Sequence, residues 1–292
     1  MRFGRLILAT ALTVVIGDFF HSALADAGSI QVTESFDGSV FPLEKLNQSG
    51  NAPTISNEHS RSGNGGSMKS YLNRLSSSRS NRTEATIKWT SQHPASSIGE
   101  HFWYGFSIFL PSSYVASPVW EIVAQWHDTP DSWTVGRKNP PLTISTTRGG
   151  VGGRWTIHDL WDAEPVAADG SFKIDGNKTW DLGPYETNKW TDWVVHVKWS
   201  YASDGILEVW KNGVKVVDYV GPNCYNDKIG PYFKMGIYKG WGDRINPADT
   251  VSERTIYHDD LRIARGPSAT FNDVSPGKNV AAPAAPTGLV VR

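Results

Sequence analysis

The sequence predicts an all-β protein, a sandwich of two antiparallel sheets. Short runs with apolar residues at every second position recur along the chain, separated by Gly, Pro and Asn turns. No stretch carries the spacing of a long amphipathic helix, and no internal repeat is present. Lys211-Asn212-Gly213, set between Leu207-Glu208-Val209-Trp210 and Val214 to Val217, is the tight-turn signature of a β-hairpin.

The elements follow in order. Ile30 to Phe36 alternates as an opening strand and ends at Asp37-Gly38. Residues 47–67 are rich in Asn, Ser and Gly and read as loops, with a short strand at Met68 to Leu72 and an exposed serine-rich loop over Leu75 to Asn81. Arg82 to Lys88 alternates again, placing Arg82, Glu84, Thr86 and Lys88 on one face. Phe102 to Leu110 is dense in aromatic and β-branched residues. In Val119 to His127, strict alternation puts Ile122, Ala124 and Trp126 on one face and Glu121, Val123, Gln125 and His127 on the other. Leu142 to Thr146 and Arg154 to His158 read as strands, and residues 162–189 as a long polar loop. Trp190 to Ser200 sets Trp193, Val195, Val197 and Trp199 on one face. Residues 254–263 form a final strand, with Asp259, Leu261 and Ile263 together.

Arg2 and Arg5, the apolar run Leu6 to Gly17 and Ala23-Leu24-Ala25 make residues 1–25 a signal peptide, so the chain is expected to be secreted or periplasmic. The run is too short to span a bilayer, and no later one is long enough. Residues 26–268 are expected to form the domain, and the Ala/Pro-rich residues 269–292 a disordered tail. Cys224 is the only cysteine, so no intrachain disulfide forms and stability rests on the core. A net charge of −1 without a basic cluster excludes a typical nucleic-acid binder and argues against a heavily sulfated ligand. A monomer is expected.

Tyr232 to Lys239 is the stretch around which the rest is organised. Tyr232, Lys234 and Tyr238 share a face, with Gly236 between them leaving room for a group to approach the backbone; Phe233, Met235 and Ile237 face the core. A cation and two phenols on one face suit an anion, although a merely solvated strand face has the same pattern. Gln125 and His127 point together from a strand otherwise rich in apolar residues, an arrangement less ordinary than a lone structural His. Arg82 and Glu84 alone would be a common surface pair of little energetic weight.

Together, Arg82-Thr83-Glu84, Gln125-Trp126-His127 and Tyr232-Phe233-Lys234-Met235-Gly236-Ile237-Tyr238 resemble the R-x-E, Q-x-H and Y-F-K-x-G-x-Y segments of alginate lyases in the jelly-roll superfamily of polysaccharide lyases. Trp103 to Ile108 with Leu110-Pro111, Trp190 to Val195, and Asp204-Gly205 leading to Glu208 to Gly213 are similar to the heparin lyase I-like and glucuronan lyase branch. The likeness covers residues 32–265. It implies a concanavalin-like jelly roll, an acidic polysaccharide as substrate, and cleavage by β-elimination with no catalytic cofactor. Thr86 stands where alginate lyases carry a second arginine, and Lys239 where they often carry Gln. With the near-neutral charge, this favours an unsulfated, glucuronan-like polymer over alginate or heparin.

In that chemistry a base removes the C5 proton of a uronate and the C4 oxygen leaves. The carboxylate must be held and the enolate-like charge offset. Gln125 can donate to the carboxylate, and Arg82 or Lys234 can add positive charge. Tyr238 is the natural proton donor to the leaving oxygen, with Lys234 nearby to help it exchange a proton. Either Tyr238 acts as base and acid in turn, or His127 is the base and Tyr238 the acid. Glu84 orients Arg82, while Tyr232 and Lys239 complete the binding surface. Asp259, if on the core side, needs a partner or a metal, and Glu34 is a candidate companion for a structural Ca²⁺. Two rivals share the sandwich: a glycoside hydrolase, which needs two carboxylates at working distance, and a sugar-binding module using exposed tryptophans.

Overall fold

A computed structural model describes residues 29–47, 52–74, 81–87, 95–132, 139–165, 174–241 and 248–277. The signal segment and the chain after 277 lie outside the described residues, as does most of the serine-rich loop. The strands are β1 (Ser29–Glu34), β2 (Glu44–Asn47), β3 (Thr54–Ser56), β4 (Ser67–Asn73), β5 (Arg82–Thr86), β6 (His101–Phe109), β7 (Glu121–Thr129) and β8 (Leu142–Arg148). They continue as β9 (Val151–Trp161), β10 (Gly176–Pro184), β11 (Trp190–Lys198), β12 (Ile206–Lys211), β13 (Val214–Val220), β14 (Ile229–Lys239) and β15 (Glu253–Arg265). One short helix, α1 (Phe271–Val274), follows.

These strands form the expected sandwich. One sheet runs β13-β12-β11-β6-β15-β4-β3, with β1 pairing to β15. The other runs β10-β9-β8-β7-β14-β5-β2. Their inner faces meet through Tyr104 and Phe106 on β6 and Trp126 and Phe233 on β7 and β14, with Tyr104 edge-on to Trp126 at 5.3 Å between ring centroids. Trp193, Val195, Val197 and Trp199 are fully buried, as their alternation predicts. Each such apolar side chain withdrawn from water contributes about 1.5–3 kcal/mol, so a core this size dispenses with a disulfide. Asn212 and Gly213 both adopt positive φ, 51° and 79°, the conformation of the tight hairpin turn.

The sequence reading differs from the fold in three places. The polar stretch 162–189 contains β10, an edge strand with mostly exposed side chains. An edge strand needs no apolar alternation, because it is held by main-chain pairing with β9. The packed chain also continues past 268. Val274 is fully buried in a second apolar cluster with Trp103, Val194, Ala264 and Ala269, and Phe271 packs against it, so residues 269–277 belong to the domain. Finally, β-bulges reverse side-chain parity twice. In β15 the pairing with β6 shifts between Asp259 and Arg262, at Asp260, whose φ is 54°. His258 therefore points inward to the Val123 carbonyl, 2.9 Å away, and Leu261 and Ile263 are core, while Asp259 faces outward. In β7 a shift between Ile122 and Ala124 leaves Val123 and Ala124 both in the core, turns Glu121 inward and turns Ile122 outward.

Candidate active site

Three neighbouring strands assemble the site on the outer face of the second sheet. β14 lies between β5 and β7, and its register places Tyr238 beside Arg82, Gly236 beside Glu84, Lys234 beside Gln125 and Tyr232 beside His127. Three segments far apart in sequence thus meet on one surface because their strands are adjacent.

Gly236 has a specific part in that meeting. Met235 pairs with Ala124 but Tyr238 with Ile122, so β14 carries one extra residue there. Gly236 takes up the bulge at φ 138°. A Cβ on it would press on the Thr83 carbonyl oxygen and lie 2.6 Å from the Cα of Glu84. The room beside Gly236 is therefore filled by the β5 backbone rather than left for a ligand. Gly236→Ala is expected to cost about 2–5 kcal/mol, from backbone strain plus overpacking. Thermal denaturation checks it, and a melting temperature within error of wild type would contradict it.

Beneath the surface lies a polar chain. The Gln125 amide donates to Oε1 of Glu84, and Nε of Arg82 lies 2.9 Å from Oε2 of the same carboxylate. Glu84 is almost fully buried, and burial pushes its pKa up against the opposing pull of Lys234 and Arg82. It orients Arg82, as expected, and orients Gln125 as well. The Arg82 guanidinium sits 4.1 Å from the centroid of the Tyr238 ring. The Lys234 ammonium is 4.9 Å from the Tyr232 ring centroid, whereas the cation over the Tyr238 ring is Arg82. Burial lowers the Lys234 pKa to about 8, with Glu84 resisting the shift. Burial likewise raises Tyr232, to about 12, helped by the Asp128 and Glu84 carboxylates.

His127 is half-buried, and its Nδ1 lies 2.9 Å from both the backbone oxygen and Oδ1 of Asp128. A proton on Nδ1 serves both acceptors and fixes the orientation of the ring. Asp128 is the site residue that sequence reading missed. Its carboxyl is buried and its pKa raised by desolvation, which the bond from His127 opposes. Alternation aims its Cβ away from His127, yet its short side chain still reaches its neighbour's ring. The adjacency His127-Asp128 was the available signal.

Tyr238 is partly exposed at the border of a cleft of about 490 Å³ that extends over β7, β8, β9 and β10. Trp120, 42% exposed, stands edge-on to it at 4.8 Å between centroids. The Trp120 carbonyl accepts the Gly240 N–H at 3.0 Å, which fixes the end of β14 to the segment entering β7.

Lys239 falls outside the group. As the next residue after Tyr238 it points inward, fully buried, with its ammonium 2.9 Å from Glu121, 2.7 Å from Ser117 Oγ and 4.0 Å from Asp249. Arg254 of the opposite sheet meets the same Glu121 at 2.8 Å. Strand alternation places Lys239 in an ion network that ties the sheets together, away from the proposed binding surface. Glu34 and Asp259 do not by themselves make a calcium site. Glu34 Oε1 accepts the Phe36 N–H at 2.7 Å, and the Asp259 carboxylate accepts the N–H groups of Arg61 and Asp260, each at 2.7 Å. Burial and the neighbouring Asp260 and Asp37 raise the Asp259 pKa to about 7. Among the described residues no group of three or more His, Cys, Asp or Glu is arranged to hold a metal ion, whereas Ca²⁺ takes about 6–8 oxygens.

Comparison with known proteins agrees with this architecture. The chain is similar in structure to an endo-β-1,4-glucuronan lyase from the fungus Trichoderma reesei, with a TM-score of 0.67 at 17% identity over 86% of this chain and 100% of that one. It is also similar to a PL-14 alginate lyase from Aplysia kurodai, with a TM-score of 0.54 at 10% identity over 80% of this chain and 98% of that one. No curated protein sequence matches. The family model described as "Polysaccharide lyase" matches residues 33–262. Spanning the three motif strands and both sheets, that match means that the chain belongs to the polysaccharide lyase family.

Proposed function

We propose that this protein is an exported, monomeric lyase that cleaves a glucuronan-like polymer of unsulfated uronic acid by β-elimination. The observation that carries the reading is the convergence of Tyr238, Arg82, Lys234, Gln125 and oriented His127 on one face of three adjacent strands. The structural likeness to a glucuronan lyase and the net charge of −1 support the choice of polymer. No helix among the described residues is long and apolar enough to cross a membrane.

The reacting uronate binds with its carboxylate toward His127, Gln125 and Lys234, and with its C4 oxygen at Tyr238. In a β-linked glucuronate the C5 proton and the C4 oxygen lie on the same ring face. Tyr238, entering the step as its phenolate, takes the C5 proton, the C4–O bond breaks as the C4–C5 double bond forms, and the phenol so formed gives that proton to the departing oxygen, restoring the phenolate. Charge that builds on the carboxylate is met by Lys234 and the His127 side of the site. Arg82, held by Glu84, fixes the Tyr238 ring. The hydrolase alternative is less well supported: among the described residues no carboxylate lines the cleft, and Glu84 is buried and engaged on both oxygens.

Lys234 makes the reading testable by pH. An ammonium with a pKa near 8 is charged below that pH and loses its charge as pH rises through it, so kcat/KM for free enzyme should fall above about pH 8. Lys234→Arg should move that limb upward; an unchanged limb would remove Lys234 from the mechanism. Comparing initial rates on polyglucuronate, alginate, heparin and hyaluronan tests the substrate choice, with polyglucuronate expected to lead.

A further inference from the structure

Eight arginines fall within the described residues. Seven of them pair with a carboxylate: Arg61, Arg74, Arg82, Arg154, Arg254, Arg262 and Arg265. Arg148 does not. It ends β8 and lines the cleft in which Tyr238 sits, half-buried, and none of the described residues lining that cleft carries a carboxylate. Burial lowers its pKa with no acid offsetting the shift. Its neighbour His158, also in the cleft, is held uncharged by burial and by Arg148, with a pKa of about 4, and its Nδ1 is 2.9 Å from Thr179 Oγ1. A guanidinium kept half out of water without a partner is costly for the fold, and an arriving carboxylate would satisfy it. The cleft also offers the hydroxyls of Thr143 and Ser145 and, on the Tyr238 side, the exposed face of Trp120.

We propose that Arg148 is a specificity-determining residue that binds the carboxylate of a second uronate unit, lying over β8 and β9 and separate from the unit that reacts at Tyr238. The inference rests on the uronate-polymer reading above. Because the cleft crosses the strands from β14 to β10, a polymer laid along it meets the reacting group on β14 and then Arg148. Recognition of a second charge selects polyuronates over neutral chains and over polymers with isolated uronates. Trp120 supplies an apolar surface for the ring between the two charged units.

The test is Arg148→Gln. KM for the polyuronate should rise about tenfold with kcat within about twofold, as expected for a lost charge-assisted contact away from the reacting bond. The shortest oligomer that is still cleaved should be affected less, and Arg148→Lys should recover part of the loss. Because Arg148 has no acidic partner among the described residues, the melting temperature should not fall. A second arm uses calorimetric binding in the Tyr238→Phe background, with uronate oligomers and their carboxyl-reduced counterparts. Arg148→Gln should weaken binding of the uronate oligomers only. An unchanged KM and binding constant, an equal loss on the reduced oligomers, or a fall in kcat alone would each overturn the proposal. If wild type forms no unsaturated product on any polymer, the lyase reading fails, and the binding arm still decides the role of Arg148.

Discussion

Tyr238→Phe is expected to lower kcat on a polyuronate by about 10²–10⁴-fold while leaving the fold intact, the range lost when a positioned acid–base group is removed. The ring keeps its edge contact with Trp120 and its place against Arg82, since neither needs the hydroxyl. Substrate should still bind, so KM should move far less than kcat. A variant retaining more than about a tenth of wild-type kcat would assign the proton transfer elsewhere, with His127, whose ring is held at Nδ1 by Asp128, the next group to test.

Lys239→Ala is expected to have the largest effect on stability, about 3–5 kcal/mol, the loss typical when one member of a buried ion network is removed. Lys239, Glu121 and Arg254 are all fully or nearly fully buried, and Arg254 comes from the opposite sheet. Removing the ammonium leaves Glu121 with Arg254 and Ser117 without its donor. Chemical denaturation measures the loss, and the kcat of the folded fraction should stay near wild type. A stable variant with a raised KM would instead place Lys239 on the substrate, as its position just after Tyr238 suggests from sequence.

That contrast illustrates what was legible in the sequence. Period-two alternation around Tyr232, Lys234 and Tyr238 gave the right face for all three, because the bulge at Gly236 interrupts only the pairing with β7, while the pairing with β5 runs unbroken from Lys234 to Tyr238. The same rule applied through the bulges of β7 and β15 gave the wrong face. One irregularity reversed Glu121 and Ile122, and another separated Asp259 from Leu261 and Ile263. A bulge depends on how a strand meets its neighbour, and neither Val123 nor Asp260 announces one by type. Lys239 was misplaced for another reason. A buried lysine is ordinarily excluded, and only Glu121 and Arg254, brought in from β7 and β15, make the position tenable. The cleft residues Trp120, Arg148 and His158 carry no shared motif; they meet because β7, β8 and β9 lie in succession. Polar β10 was hidden as an edge strand, and Asp128 by alternation.

The most direct test follows ultraviolet absorbance and new reducing ends together while the wild-type protein acts on β-1,4-linked polyglucuronate. Elimination predicts that absorbance from unsaturated ends rises in step with the reducing ends, one new double bond for each cleavage. Reducing ends that accumulate with no rise in absorbance would mean hydrolysis, and binding without either signal would mean a carbohydrate-binding protein; both results would contradict a lyase built on Tyr238.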